Sequence, residues 1–521
     1  MDSLSSTTSI DKEKGVAGGT RVTPAAAAHP VLADVDEKDE DEGAHVAGYE
    51  RNEYTQEEAD AVKRKLDRRV MPLLAAVYFS QFLDKNCTSY AAIMSLPIKG
   101  EHYNLVSMAF YLGFLVFEIP TTMISQHFPL AKYLGVNILI WATALTLHAA
   151  SANFGFFFTM RFILGMAESC VSPILITMVA AMYPKQQQAK RISMFYMCNG
   201  FTNCIGALIA YGATFYEGHA IAHWRILYII LGGLAFVVGV SVLVWLPDSL
   251  ATATFLSERE KVVAFERVRD NQTGTRCKVT KRYQVVEALT DPKTWLLLLL
   301  TALSSIPNGG LAAFSSIIIK SFGYTSRETL LLQIPRGVIA ALTTITVCQL
   351  SDRFGTRMLP ILLAVVPTVI GAALLVASSG GSKSMSLAGI FLAETYGSAL
   401  ALQYAWTASN TGGATKKSTV NGLFLSTFAL SNIIGTQIFR PTDAPSYTPG
   451  KIAILTLFAA MIPTVLVMYA FTQFLNRKKV AQLARLVEEH GWSPEEVDAQ
   501  RSRAAMEDKT DRENVFQTYV S

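Results

Sequence analysis

Between residues 70 and 475 the chain returns repeatedly to apolar stretches separated by short polar segments. Each stretch is about 18–25 residues long, which is what a helix needs to cross ~30 Å of hydrocarbon. Twelve spans are expected, at 70–94, 104–124, 133–152, 155–181, 192–215, 226–246, 294–318, 329–350, 358–378, 387–409, 419–439 and 452–475. An even number returns the chain to the side from which it started. Lys and Arg concentrate in segments on the side of the N-terminus, so both termini are expected in the cytosol. One polar interruption, 247–293, is much longer than the rest and divides the spans six and six.

The predicted fold is therefore an all-α polytopic membrane protein of two six-helix bundles. Residues 1–54 form an acidic cytosolic tail, low in aromatics, that is expected to be disordered and is too polar for a signal peptide. Residues 55–246 make the first bundle, 247–293 a cytosolic linker, 294–476 the second bundle and 477–521 a cytosolic C-terminal tail. Thr55 and Glu58 have capping-box spacing, which predicts a short basic helix running through Lys63–Arg69 into the membrane.

Composition narrows the function. Of 521 residues 51% are hydrophobic and only 17% charged, with a mean hydropathy of +0.31. A soluble domain carries roughly a quarter of its residues as charges. A soluble enzyme and a secreted disulfide scaffold are excluded. The net charge of +4 is spread over loops, so no nucleic-acid partner is expected. The six cysteines lie mostly inside apolar stretches without CxxC spacing and read as buried thiols. The eight histidines are scattered, and His219 and His223 lack a HExxH context, so neither a metal nor a membrane-embedded enzyme is expected. No phosphate-cradling GxxxxGK[ST] is present. ATP is therefore not expected to drive the protein, and no cofactor is expected.

Ionisable residues inside the spans mark the candidate chemistry. Each costs about 2.5–3.5 kcal/mol at mid-bilayer, so it normally faces a partner or a water-filled cavity. Arg161, Gly165, Glu168 and Ser172 recur at helical spacing on span four, and Gln81, Asp84, Lys85 and Thr88 do so on span one. At ~1.5 Å per residue, Asp84 and Arg161 fall at nearly the same depth, where they can pair. Arg336 and Glu394 lie at a similar depth in spans eight and ten, so charges from both halves can form a ring. Lys85, Arg161 and Arg336 are candidates for holding a carboxylate, and Asp84 and Glu168 for proton coupling. Asn308, Gln403 and Asn410 are candidate substrate contacts among the uncharged polar positions of spans seven and ten. Gly309-Gly310 offers a point where span seven can break. Glu118, just before Pro120, is read as a gating residue.

Ser125–Leu134 after span two and Ser351–Leu359 after span eight align with a one-residue gap, at equivalent places in the two halves. The second copy, Asp352-Arg353-Phe-Gly-Thr-Arg357, resembles the loop signature of the major facilitator superfamily. Arg161-Phe-Ile-Leu-Gly-Met-Ala-Glu168 with Pro173, and Phe117-Glu118-Ile-Pro120, resemble its anion:cation symporter branch. Four further stretches are similar to fungal allantoate-permease-like transporters: Glu266–Gly274, Pro307–Gly310, Trp406 through Asn410 to Lys416, and Thr510-Asp511-Arg-Glu513-Asn514. The first loop copy departs at Gln126, where an acid is usual. Span one has Leu83-Asp84-Lys85-Asn86 where the branch has Leu-Asp-Arg, which loses a bidentate donor.

The resemblance implies a proton-coupled carrier of a small organic anion, such as allantoate, ureidosuccinate or a vitamin-like acid, working by alternating access as a monomer. It also implies that Asp352, Arg353 and Arg357 gate the cycle. The expected location is the plasma membrane, with the vacuolar membrane as the other choice. An exporter of a fungal metabolite is the alternative, and a non-transporting nutrient sensor a further one.

Overall fold

A computed structural model describes residues 53–125, 127–150, 152–184, 187–188, 191, 194, 198–218, 220–269, 281–378, 382–497, 500–501 and 509–520. The described secondary structure is helical. Helix α1 (Gln56–Arg69) opens with the expected capping box, the Thr55 and Glu58 side chains each accepting from the other's backbone N–H. The first group of apolar helices is α2 (Met71–Ala92), α3 (Glu101–Ile124), α4 (Leu130–Leu147), α5 (Phe154–Glu168), α6 (Val171–Met182), α7 (Cys198–Ala213) and α8 (His223–Trp245). Two linker helices follow, α9 (Glu258–Arg269) and α10 (Arg282–Thr290). The second group is α11 (Pro292–Ser321), α12 (Ser326–Phe354), α13 (Met358–Ala377), α14 (Lys383–Ala393), α15 (Gly397–Asn410), α16 (Ala414–Thr436) and α17 (Thr448–His490).

Nine helical stretches among the described residues are long and apolar enough to cross a membrane. Helices α2 and α16 have the length, at 22 and 23 residues, but their buried Asp84, Asn86, Ser431 and Asn432 dilute the apolar character. Large apolar side chains such as Ile119, Val237, Val244 and Leu342 point outward. That is expected of helices whose backbone bonds are satisfied internally and whose flanks meet lipid.

The helices pack as two bundles, α2–α8 and α11–α17, which meet along α7 with α12, α3 with α16 and α2 with α11. Small residues set the closest crossings. A Cβ on Gly165 of α5 would collide with the Phe110 carbonyl of α3, and one on Gly309 of α11 with the backbone of α16 at Asn432. Here the structure corrects an expectation. Gly309-Gly310 does not break span seven: α11 runs unbroken through Pro307 for 30 residues, and the glycines serve helix contact instead. The interruptions fall elsewhere, at Ser169–Cys170 between α5 and α6, and at the 3-10 turn Glu394–Tyr396 between α14 and α15. Helix α17 also outruns the expected span end at 475, reaching His490.

The bundles are joined at one end. Tyr103 donates to the Ala313 carbonyl at 2.6 Å, Asn104 to Phe439 at 2.9 Å, Ser326 to Ile93 at 2.8 Å and Arg327 to Thr214 at 2.9 Å. The opposite end carries α1, α9, α10 and residues 509–520, and is called the tail-bearing end below.

Candidate functional site

A cavity of ≈150 Å³ lies between the bundles. With about 10–15 Å³ needed per water, it takes a molecule of roughly ten heavy atoms. Its first-bundle wall is Tyr78, Phe82, Lys85 and Asn86 of α2 with Gly200 and Asn203 of α7. Its second-bundle wall includes Ser304, Ser305 and Asn308 of α11, Arg336 and Thr344 of α12, Glu394, Tyr396, Tyr404 and Phe428. Just beyond Asn86 the space is closed by Ser89, whose hydroxyl donates to Ser316 of the second bundle at 3.0 Å. Tyr78, Thr344 and Tyr404 carry the lining toward the tail-bearing end, so the cavity is sealed on one side and extends to the other.

Lys85 enters the cavity among three aromatic faces, 5.7 Å from the Phe82 centroid, 5.4 Å from Tyr111 and 5.6 Å from Phe428. Such faces attract an ammonium without neutralising it. Across from it, Arg336 Nε lies 3.5 Å from Glu394 Oε2, both side chains largely buried. Two of the guanidinium nitrogens of Arg336 have no hydrogen-bond partner among the described residues. One anion thus offsets two cations, and the cavity keeps one positive charge in excess.

Carboxamides fix the rest of the wall. Asn86 donates to Asn203 Oδ1 at 2.8 Å, tying α2 to α7. Tyr396 donates to Asn308 Oδ1 at 2.9 Å, and Asn308 Nδ2 to Asn432 Oδ1 at 2.7 Å. Asn86, Asn203 and Phe428 were not singled out from the sequence. The available signal was cost: an amide inside an apolar span demands a partner. Asn308 lies in the lining.

Asp84, Arg161 and Glu168 lie behind this wall, inside the first bundle, at 0%, 2% and 0% exposure. They are electrostatic neighbours, with the Trp141 indole beside Asp84 and Gln81 beside Glu168. The Asp84–Arg161 ion pair that equal depth permits does not form in this arrangement. Arg161 instead donates from Nη2 to the Tyr228 hydroxyl at 3.0 Å, and Tyr228 stacks on His148 with ring centroids 5.0 Å apart. None of the four carboxylate oxygens of Asp84 and Glu168 has a hydrogen-bond partner among the described residues. The guanidinium points to an aromatic partner on α8, which depth along a span cannot reveal. Glu168 nonetheless acts electrostatically on Lys85, so the buried cluster is coupled to the cavity through one ammonium.

Two expected substrate contacts are placed elsewhere. Gln403 accepts from Thr301 at 3.3 Å and faces Ser304 inside the second bundle. Asn410 lies at the tail-bearing end with both ends of its amide bonded to the backbone of Val520. Glu118 is buried on α3, with neither carboxylate oxygen partnered among the described residues. Arg357 closes on its own motif, donating to Asp352 at 2.9 Å and Ser351 at 2.8 Å, while Arg353 is exposed. Gln126 of the first copy lies outside the described residues. The start of α4 beside it takes Asp248, whose Oδ1 accepts from the amides of Ala131 and Lys132.

Residues 74–436 match the model of the Major Facilitator Superfamily, most of the chain. The protein belongs to that superfamily. This superfamily member is 33% identical over 479 residues to the allantoate permease of Saccharomyces cerevisiae, covering 89% of this chain and 86% of that one. It is 33% identical over 438 residues to the thiamine pathway transporter THI73 of the same yeast, covering 83% and 84%. Among solved structures, the partially occluded inward-open xylose transporter XylE of E. coli superposes with a TM-score of 0.60 at 13% identity, over 78% of this chain and 98% of that one. The architecture is accordingly that of a multi-pass membrane transporter.

Proposed function

We propose that this transporter is a proton-coupled symporter of a small organic anion carrying one negative charge. The observation that carries the reading is Lys85: an ammonium facing the cavity, bounded by aromatic rings, beside an Arg336–Glu394 pair that already offsets itself. A monocarboxylate completes that charge balance, and the carboxamide wall suits a substrate with further donors and acceptors. The allantoate permease relative points to the same class.

Coupling runs through the same ammonium. Lys85 faces the cavity on one side and Glu168 on the other, and Glu168 in turn acts on Asp84. An anion bound at Lys85 and a proton bound at the Asp84–Glu168 pair each reduce the net charge the other must face. Binding of either favours the other, which is the thermodynamic requirement for symport. Arg161, held by Tyr228, supplies a fixed positive field to the pair and is not a substrate ligand in this reading. The chain crosses the membrane twelve times with both ends in the cytosol, so the tail-bearing end is cytosolic and the arrangement described here is inward-open. It acts as a monomer in the plasma membrane and uses the proton gradient without a cofactor.

Competition for uptake in proteoliposomes tests the charge argument. Monocarboxylates should compete and dicarboxylates of similar size should not. Glu394→Gln, which leaves two uncompensated cations in the cavity, should shift preference toward dicarboxylates. Equal competition by both classes in the unaltered protein would remove the charge argument.

A further inference from the structure

The C-terminal residues 509–520 are part of the folded second bundle. Thr510 and Glu513 form a reciprocal cap, the Thr510 amide donating to Glu513 Oε2 at 2.9 Å and the Glu513 amide to Thr510 Oγ1 at 3.3 Å. This turn drives Asp511 inward until it is fully buried. There its carboxylate meets Lys416 of α16 at 2.7 Å and the ammonium of Lys293 at the start of α11. Lys479 of α17 donates to the segment's backbone, to the carbonyls of Asp511, Asn514 and Gln517. The Tyr519 ring covers both Lys293 and Lys479, at 3.9 and 4.2 Å, and its hydroxyl donates to Asp511 at 2.9 Å. The motif that carried part of the family resemblance is therefore a shaped insert in a lysine-lined socket.

The segment also grips the connection between α15 and α16. Asn410 is bonded at both ends to Val520, Gly412 donates its amide to Asp511 at 3.3 Å, and Gln517 donates to the Ser409 carbonyl at 3.4 Å. Both α15 and α16 line the cavity, through Tyr404 and Phe428. The linker joins the grip from the other side, since Lys416 also binds Glu287 and Asp291, each at 2.9 Å. The segment thus ties this end of α15 and α16 to α11, α17 and the linker.

We propose that the socket is an intramolecular binding site for the acid-bearing C-terminal segment, and that the docked segment is a latch favouring the arrangement in which the cavity is open at the tail-bearing end. The latch is independent of which anion or ion is transported. Its acid does not respond to physiological pH, whereas burial, with Lys293 and Lys416 nearby, lowers the Lys479 ammonium to about 8, so that grip weakens on the alkaline side. Burial by itself would raise the Asp511 carboxyl, but Lys293 and Lys416 hold it down to about 2, and Asp291, Arg512 and Tyr519 around it leave that balance in place. Asp511 stays ionised, so acid in the physiological range does not release the segment.

The test uses the full chain in nanodiscs, with Thr344→Cys as a reporter in the cavity and no other reactive cysteine. A membrane-impermeant maleimide is added and the labelling rate measured. Asp511→Lys, which places a fourth cation in the socket, should release the segment and slow labelling of the reporter about five-fold or more. A second form, Asn410→Cys with Val520→Cys in Asp511→Asn protein, ties the segment by a disulfide once its carboxylate is gone: labelling at position 344, read on its own peptide so that the freed pair is not counted, should be fast with the disulfide formed and slower after reduction. If Asp511→Lys fails to insert, this reversible pair decides alone. Labelling that is unchanged in inserted Asp511→Lys protein, or by reduction of the pair, would make the segment a passive cap and overturn the latch.

Discussion

The two bundles bury charge in opposite ways. In the first, Asp84, Glu168 and Arg161 are all but inaccessible, yet among the described residues no ion pair joins them and neither carboxylate makes a well-formed hydrogen bond, with only the Trp141 indole and Gln81 beside them. In the second, at the tail-bearing end, Asp511, Asp291, Lys293 and Lys416 are equally buried and interlocked by ion pairs. Leaving buried ions without partners costs several kcal/mol, and inside a membrane such groups mark ion or substrate pathways and proton relays. A fully paired cluster has no inexpensive second state. The first arrangement suits the proposed proton switch; the second is a clasp. The Arg336–Glu394 pair in the cavity stands between them, with an ion pair but with guanidinium nitrogens still free to meet a ligand.

Removing one member of each cluster separates the two. Lys416→Ala leaves three carboxylates, Glu287, Asp291 and Asp511, short of a shared cation. The expected loss is about 3–5 kcal/mol of stability, the cost of breaking a buried ionic cluster, read as a fall in thermal midpoint in detergent. Asp84→Asn removes an unpartnered charge, so its midpoint should be unchanged or higher. A fall as large as that of Lys416→Ala would show that Asp84 is structural.

Acid should act on the clasp next. Asp511 is held at about 2 in the folded protein, against about 3.9 when unfolded. A depressed carboxyl stabilises the fold above the unfolded value and loses that contribution as pH falls from about 4 through 2. The contribution is about 2–3 kcal/mol. Thermal midpoints measured from pH 7 to pH 3 should therefore stay level to about pH 5 and then drop, and Asp511→Asn should abolish that component of the drop.

Lys85→Gln gives a smaller change, confined to binding. Loss of a charge-assisted contact is worth about 1.5–3 kcal/mol, so the anion should bind about 10- to 100-fold more weakly in an otherwise stable protein. Unchanged affinity by isothermal titration would move the anion site away from Lys85.

Much of the helical layout was legible in hydropathy, and the Thr55–Glu58 cap in local spacing, because both depend on neighbours in sequence. The ionisable positions in the spans were legible because charge there is costly. Their partners were not. Arg161 reaches Tyr228, 67 residues away, and Asp511 meets Lys293 across 218 residues. Helix depth permits such meetings without selecting among them. Gly309 misled for a related reason: the residue that permits a helix break also permits a close crossing, and only the position of α16 decides between the two.

The most direct measurement is the internal pH of sealed vesicles holding the purified protein, followed as a monocarboxylate is added outside, for the unaltered chain and for Asp84→Asn. The account predicts acidification with the unaltered protein and none with Asp84→Asn, which should still exchange labelled anion across the membrane. Acidification that persists in Asp84→Asn would contradict the assignment of the unpaired first-bundle charges as the coupling switch.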